Sequence, residues 1–389
     1  MNVLFLTHSF PRDDGDAAGS FLLRLAQALL HEDVTVRVVA PGATGLAAHE
    51  SLGGVQVDRF RYAPRRFETL AYGGNMAELV RDKWSAKFSL VGFLGAEFQA
   101  GIHAKREFHP ALVHAHWWFP NGLAATWVAR MAGIPLVTTL HGTDVRMARN
   151  ISMSRPAFRH VLQHSAAVTA VSRWLAHEAQ SIVSTRPPLV APMPVATELF
   201  TPEPAIMRDR RLLFVGRLMP QKGIDLLLDA LALLPDDVGL DIVGDGPDRP
   251  SLEARALTLC VGTRVRFHGA VKQFSLPAFY QRAFALIVPS AEEGLGLVAV
   301  EAQLCETPVV AFDSGGLPDV VQHERTGMLV QERTAIALAS AVRLLLERDD
   351  RGATLGAAGR LHALASFAPA SVARRYADIY RSAVERSAT

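Results

Sequence analysis

The chain has 389 residues, 49% hydrophobic and 20% charged, with 40 Lys+Arg against 38 Asp+Glu. That length suggests about two or three domains with ordinary cores, and the charge balance excludes a disordered acidic or basic chain. A formal net charge of +2 gives no reason to expect nucleic acid as a partner. Two cysteines, Cys260 and Cys305, cannot make a disulfide framework or a cysteine-rich metal site. They fit a reducing, cytoplasmic compartment. The run Met1–His8 has no basic start and too short an apolar stretch for a signal peptide. No Asp, Glu, Lys or Arg occurs between Pro110 and Ala129, but His114, His116, Pro120, Asn121 and Gly122 make that stretch a poor spanning helix. A soluble chain is expected, with attachment to the inner face of a membrane left open.

In chain order, the apolar run Val3–Leu6 is followed by a turn-rich loop to Gly19, then by Leu22, Leu25 and Leu29 at helical spacing, then by β-branched Val34–Ala40. Strand, loop, helix, strand is a βαβ unit and implies a parallel sheet. Leu112–His114, Leu136–Leu140 and Val168–Val171 are further strand candidates. The pattern restarts at Arg211–Gly216, with a helix over Ile224–Leu234 and strands at Leu240–Val243, Val265–Phe267, Ala285–Val288, Val309–Ala311 and Met328–Val330. Pro187, Pro188, Pro192, Pro194, Pro202 and Pro204 stand between the halves, where neither helix nor central strand tolerates them. The expected fold class is α/β, with two Rossmann-like doubly wound domains: residues 1–190, a linker at 191–205, and residues 206–370. The first 190 residues carry a net charge of +5 and the remainder −3.

A dinucleotide site is disfavoured. The first loop supplies only Gly15 and Gly19, and Ala40-Pro41-Gly42 stands where an acid would hold a ribose hydroxyl. Gly19 still opens a helix, where backbone amides can meet a phosphate. Gly216-Arg217…Lys222-Gly223 lies between a strand and a helix, with two cations beside a helix start. An anion between them relieves their repulsion, and a diphosphate is the natural occupant. In Pro289–Ala302, Glu292, Glu293, Gly294 and Gly296 precede a helix whose only charge is Glu301, set among Leu297, Val298, Val300 and Ala302. An acid buried there without partners costs several kcal/mol, which sugar hydroxyls or a structural Arg would offset. His141 follows the strand Leu136–Leu140, with Asp144 as a local partner. His114 and His116 share a strand face, but no third ligand for a metal is visible. Asp14-Gly15-Asp16 is the only Asp-x-Asp triplet. It lies in the first half, away from Arg217 and Lys222, which already supply the charge of a divalent ion.

Glu293 and Glu301, seven residues apart, resemble the E-x7-E element of retaining GT-B glycosyltransferases of family four, the glycosyl transferases group 1. Gly216-Arg217…Lys222-Gly223, Gly244-Asp245-Gly246-Pro247, Asp313–Pro318 and Thr326–Val330 are similar to that family in order and spacing. In the first half the resemblance rests on the Gly19 loop and His141-Gly142-Thr143-Asp144. It implies two domains facing across a cleft, with helix 371–389 returning to the first, acceptor domain. It implies a metal-independent hexosyltransferase with no cofactor, the nucleotide-diphosphate sugar being a co-substrate. Arg217 and Lys222 would hold the diphosphate, Glu301 the ribose, and Val271 would lie beside the base. Glu293 would face the donor sugar, near the amides of Gly294, Leu295, Gly296 and Leu297. Gly19 would close on the diphosphate and His141 would meet the sugar near the reacting carbon. Asp144 and His116 are candidates for the acceptor side.

The acceptor is expected to be a sugar or lipid-linked hydroxyl in polysaccharide, glycolipid or lipid-linked glycan assembly. The cluster Arg59–Phe67 and the stretch around Phe88, Leu90, Val91, Phe93, Leu94 and Phe98 form a candidate face for an anionic membrane. The alternatives on the same fold are a nucleotide-sugar epimerase and a synthase accepting a sugar phosphate, for which Arg12, Arg146 and Arg149 are the loop cations. A protein that only binds is disfavoured by the joint presence of Arg217, Lys222, Glu293, Glu301 and His141.

Overall fold

The computed structural model describes residues 1–13, 15–72 and 76–388. Asp14, and with it the Asp-x-Asp triplet as a unit, lies outside the described residues. The chain divides into two units, Met1–Pro194 completed by the segment from Pro369 onward, and Val195–Ala368. The stretch 191–205 is not a separate connector, because the division falls within it and Ala191, Met193, Val195, Ala196 and Phe200 are buried. Its prolines forbid regular pairing, yet the apolar side chains between them still pack.

In the first unit, β1 (Asn2–Leu6) leads through α1 (Ser20–Leu29) to β2 (Thr35–Pro41) and to a hairpin of β3 (His49–Leu52) and β4 (Val55–Phe60). Helices α2 (Met76–Asp82) and α3 (Trp84–Phe108) precede β5 (Leu112–His116), and α4 (Leu123–Ala132) precedes β6 (Leu136–Leu140). The unit continues through α5 (Thr143–Asn150), α6 (Arg155–His164), β7 (Ala167–Ala170), α7 (Arg173–Ile182) and β8 (Leu189–Val190). Among the described residues the sheet order is β3-β4-β2-β1-β5-β6-β7-β8, parallel except at the hairpin. The hairpin escaped the sequence reading although Gly53-Gly54, with φ of 53° and 84°, is its turn.

The hairpin also corrects the expected membrane cluster. Arg59 is buried and bonded to Glu50 (2.7 Å), the Tyr72 hydroxyl (3.0 Å) and the Pro11 carbonyl, and Phe60 and Tyr62 are core residues packed on Phe93. Arg59 and Phe60 point to opposite faces of β4, and both faces are covered there.

In the second unit, β9 (Arg211–Val215), α8 (Ile224–Ala232), β10 (Gly239–Val243), α9 (Arg249–Thr258), β11 (Val265–Gly269) and α10 (Leu276–Arg282) come first. Then follow β12 (Ala285–Val288), α11 (Leu297–Leu304), β13 (Val309–Phe312), α12 (Leu317–Val320), β14 (Met328–Val330), α13 (Ala335–Glu347) and α14 (Ala353–Phe367). The sheet runs β11-β10-β9-β12-β13-β14, all parallel. Buried on both faces, its strands read as near-continuous apolar runs such as Leu212–Phe214 and Ala285–Val288.

The last helix, α15 (Pro369–Ala388), packs on α1 in the first unit. Its Val372, Ala373, Tyr376, Tyr380 and Ala383 are buried. Period-two alternation places His114, His116, Thr139 and Thr169 on one sheet face as a buried polar stripe, and such groups must find partners. Tyr380 and the threonines of the stripe itself supply most of them. Tyr380 Oη lies 2.7 Å from His114 Nδ1, Thr139 Oγ1 lies 2.7 Å from His114 Nε2 and 2.6 Å from Thr169 Oγ1, and Tyr376 Oη donates to the Ala191 carbonyl at 3.0 Å.

Replacing Tyr376 with Ala empties a fully buried site and should cost about 3–5 kcal/mol in urea unfolding of the first unit. A loss below about 1 kcal/mol would mean that α15 does not complete that core.

Candidate active site

In an open parallel sheet, a crevice forms where adjacent strands send their connections to opposite faces, outside the carboxyl ends. The second unit has this switch between β9 and β12, and the first between β1 and β5. The motif residues of each half gather at these edges.

In the second unit the β9–α8 loop carries Arg217 and Lys222, and the β12–α11 loop carries Glu293, Gly294, Leu295 and Gly296. Lys222 Nζ donates to Glu293 Oε1 at 2.5 Å, and Ser290 Oγ donates to the same oxygen at 2.7 Å. Glu293 thus supplies the counter-charge that the paired cations demanded. Its backbone is held from below, since Gly316 N donates to Glu293 O at 2.8 Å and Ser314 Oγ to Ser290 O at 2.8 Å. Gly315 permits this approach: its φ is 59°, and a Cβ there would lie 2.4 Å from Glu293 O. Ala291 N donates to Gln221 O at 2.9 Å, joining the two loops. Helices α8 and α11 both begin at glycines, Gly223 and Gly296, without a side-chain cap. Their first amides, Leu297 N among them, can therefore meet an anion.

Glu301 is buried on α11, and one of its oxygens accepts from Tyr280 Oη at 2.8 Å. Tyr280 answers part of the puzzle of an acid in an apolar helix, and sequence reasoning missed it because it lies 21 residues upstream on α10. Val271 follows β11 and is half-buried.

In the first unit Gly19 is the uncapped start of α1, with φ 73°. A Cβ there would lie 2.4 Å from Ser9 O, so only glycine lets the β1 loop close on the helix. Asp144 and His116, expected on the acceptor side, have internal tasks instead. Asp144 is buried and accepts from the backbone amides of His141 (3.1 Å), Gly142 (2.9 Å) and Trp118 (3.2 Å). It fixes the β6–α5 turn rather than facing solvent. His116 is fully buried, with Nδ1 3.2 Å from His141 Nε2. His141 is half-buried and stacks on Trp117, with centroids 4.1 Å apart.

Three further residues at this edge were not foreseen. Asn121 Nδ2 donates to His8 Nδ1 at 2.8 Å and to the His116 carbonyl at 2.5 Å, and Trp117 lies 4.5 Å from the His8 ring. His8 stands two residues past β1, much as His141 stands one past β6, and that similar placement was the available signal. Burial depresses every imidazole here: His8 to about 4, His114 to about 3, and His116 and His141 well below the ordinary value. All four are neutral at pH 7.

A model described as glycosyl transferases group 1 matches residues 196–362, and one described as glycosyl transferase 4-like domain matches residues 17–196. A D-inositol 3-phosphate glycosyltransferase of Xylanimonas cellulosilytica is 30% identical over 99% of this chain and 97% of its own. The chain belongs to the group 1 glycosyltransferases. A GDP-mannose-dependent alpha-(1-6)-phosphatidylinositol monomannoside mannosyltransferase of Mycobacterium tuberculosis is 33% identical across 65% of this chain and 71% of its own. Among solved structures, the sucrose-phosphate synthase of Thermosynechococcus elongatus superposes with a TM-score of 0.80 at 24% identity, covering 98% of each chain. An Anabaena protein in complex with UDP-glucose superposes at 0.73 and 21% identity, covering 98% of this chain and all of its own. The fold is GT-B, with two parallel-sheet domains, as the motifs implied.

The neutral imidazoles set a pH dependence. The unfolded chain binds protons on them as pH falls through about 6.5, whereas the folded chain resists until about 4 at His8 and about 3 at His114, so stability falls on acidification. Glu97 and Asp144, whose buried carboxyls are pushed up by desolvation, work in the opposite direction but are two groups against four. Melting temperature should therefore drop between pH 7 and pH 5, less steeply in His114→Asn. A flat profile would show that the imidazoles take up protons within the fold.

Proposed function

We propose that this glycosyltransferase moves a sugar from a nucleotide-diphosphate sugar to a hydroxyl acceptor, with retention of configuration and without a metal ion. The supporting observation is the group of Arg217, Lys222 and Glu293 beside the uncapped starts of α8 and α11. An entering diphosphate takes Lys222 from Glu293 as a partner, meets Arg217 and the amides of Gly294 to Leu297, and leaves the Glu293 carboxylate to the donor sugar. Glu301 takes the ribose hydroxyls, and Val271 lies against the base. Gly19 offers backbone amides to the diphosphate, and His141 contacts the sugar.

In the reaction the bond from the sugar's anomeric carbon to the phosphate oxygen breaks, and the acceptor oxygen bonds to that carbon on the same face. The acceptor's proton passes to the departing phosphate oxygen. Arg217 and Lys222 stabilise the growing negative charge, which strengthens as the bond breaks and so lowers the barrier.

A thermal-shift panel of UDP, GDP, ADP and their sugar conjugates, with and without EDTA, tests the donor site. One nucleotide should stabilise the protein equally in both conditions, and Arg217→Ala should weaken that binding about 10- to 100-fold, the worth of a charge-assisted hydrogen bond. A shift abolished by EDTA would end the metal-independent reading. Anomeric analysis of the product by NMR checks retention.

A phosphate-bearing acceptor is the second reading, favoured by what the Xylanimonas and Thermosynechococcus proteins are named for. Arg12 and Arg149 are already paired with Asp16 and Glu178, at 2.5 and 3.1 Å. A phosphorylated acceptor would compete for those arginines, so comparing inositol phosphate with inositol as acceptors separates the readings.

The setting we infer is cytoplasmic, at an anionic membrane surface, in glycolipid, lipid-linked glycan or polysaccharide assembly. No helix among the described residues is long and apolar enough to cross a membrane. On α3, Trp84, Phe88 and Val91 are 75%, 74% and 70% exposed at i, i+4, i+7 spacing, while Phe93, Leu90, Leu94 and Phe98 pack inward. Exposed Lys83, Lys87, Arg65 and Arg66 stand nearby in sequence, with Lys87 4.4 Å over the Trp84 ring. An apolar stripe flanked by cations complements an anionic bilayer. The chain should co-sediment with phosphatidylglycerol vesicles and not with phosphatidylcholine ones, and Trp84→Ser with Phe88→Ser should abolish this. Equal binding to both, or loss of a dimer in the double variant, would overturn the membrane reading.

A further inference from the structure

His116 occupies a position that the reaction does not require it to occupy. It is fully buried, its ring lies 4.0 Å from His114, and the edge of Phe5 meets both rings at 4.8 and 5.0 Å. His114 cannot turn, because Tyr380 and Thr139 hold both of its nitrogens at 2.7 Å. The His116 ring is thereby fixed on one side. On the other, Nδ1 meets His141 Nε2 at 3.2 Å, while Nε2 is buried without a hydrogen-bond partner.

A neutral imidazole carries one proton, and hydrogen-bond pattern decides which nitrogen holds it. A proton on His116 Nε2 would be a buried N–H with no acceptor, the rarer and costlier defect. The proton therefore sits on Nδ1 and is donated to His141 Nε2. That nitrogen, acting as acceptor, carries no proton, so His141 holds its own on Nδ1. His141 is only half-buried, which leaves Nδ1 able to meet a ligand. Trp117, stacked at 4.1 Å and 27°, holds the ring plane.

We infer that His116 is a positioning residue that sets the tautomer of His141, so that His141 presents an Nδ1–H donor rather than an acceptor. Resting on the proposed contact of His141 with the donor sugar, this makes the contacted sugar hydroxyl an acceptor through its oxygen. His141 then orients the sugar and takes no proton from it. The device runs from α15 through Tyr380, His114 and His116 to His141, entirely within the first unit.

Long-range proton–nitrogen correlation spectra of histidine-labelled, ligand-free full chain read the tautomer directly, with His141→Ala assigning the signal. Wild type should show His141 as the Nδ1–H form. His116→Phe should release it to a mixture, and His116→Asn, whose amide can donate from the place of Nδ1, should restore it. An Nε2–H form of His141 in wild type overturns the inference, and needs no variant to fold. Turnover of UDP-glucose and GDP-mannose, read as nucleoside diphosphate released, adds a second arm. His116→Phe should lower kcat about tenfold, the scale of one hydrogen bond, with donor KM little changed, and His116→Asn should recover most of it. Unchanged kcat in His116→Phe despite a lost tautomer would refute the sugar contact of His141 and leave the tautomer assignment standing.

Discussion

A parallel sheet brings the carboxyl ends of all its strands to one edge, and where strand order reverses, the connections part to opposite faces. The functional architecture of both units depends on that constraint. In the second unit β9 and β12 flank the reversal, and their loops bring Lys222 to Glu293 although 71 residues separate them. In the first, β1 and β5 flank it, and His8, Asn121 and His116 meet there. Neither cluster is contiguous in sequence. Both follow from strand order, with backbone contacts such as Gly316 N to Glu293 O setting the fine positions.

The two edges have opposite electrical character. The second unit's edge holds full charges of both signs with uncapped helix starts between them, an arrangement suited to a multiply charged group. The first unit's edge holds imidazoles that burial keeps neutral, together with indole and amide groups. Neutral donors and acceptors of fixed orientation suit hydroxyl groups, which ask for direction more than charge.

Strand and helix spacing made most of the fold legible: Leu136–Leu140, Ala285–Val288 and Met328–Val330 coincide with their strands to the residue. The hairpin was missed because β3, His49–Leu52, has no apolar alternation to read. The α3 stretch expected at a membrane mixes exposed Phe88 and Val91 with inward-packed Leu90, Phe93, Leu94 and Phe98, because apolar residues occur on several sides of 84–98 and period alone could not separate the faces. At the site, Arg217, Lys222, Glu293 and Glu301 stood out because charge among apolar or glycine-rich neighbours needs a reason. His8, Trp117, Asn121 and Tyr280 did not, since their roles arise from contacts across strands that one-dimensional spacing does not encode. Asp144 looked like a group for a substrate because its three amide donors, at 118, 141 and 142, are backbone atoms that any sequence has.

The return of α15 to the first unit bears on the order in which the chain can assemble. The second unit is continuous from Val195 to Ala368 and has all its strands once Ala368 is made. The first unit, synthesised earlier, waits for Tyr376 and Tyr380 before the polar stripe of His114, Thr139 and Thr169 has its full set of partners. During translation the later unit can therefore finish first, while the earlier one remains open along the face that α15 will cover. That face includes His114 and His116, so the two rings are locked only once α15 has docked.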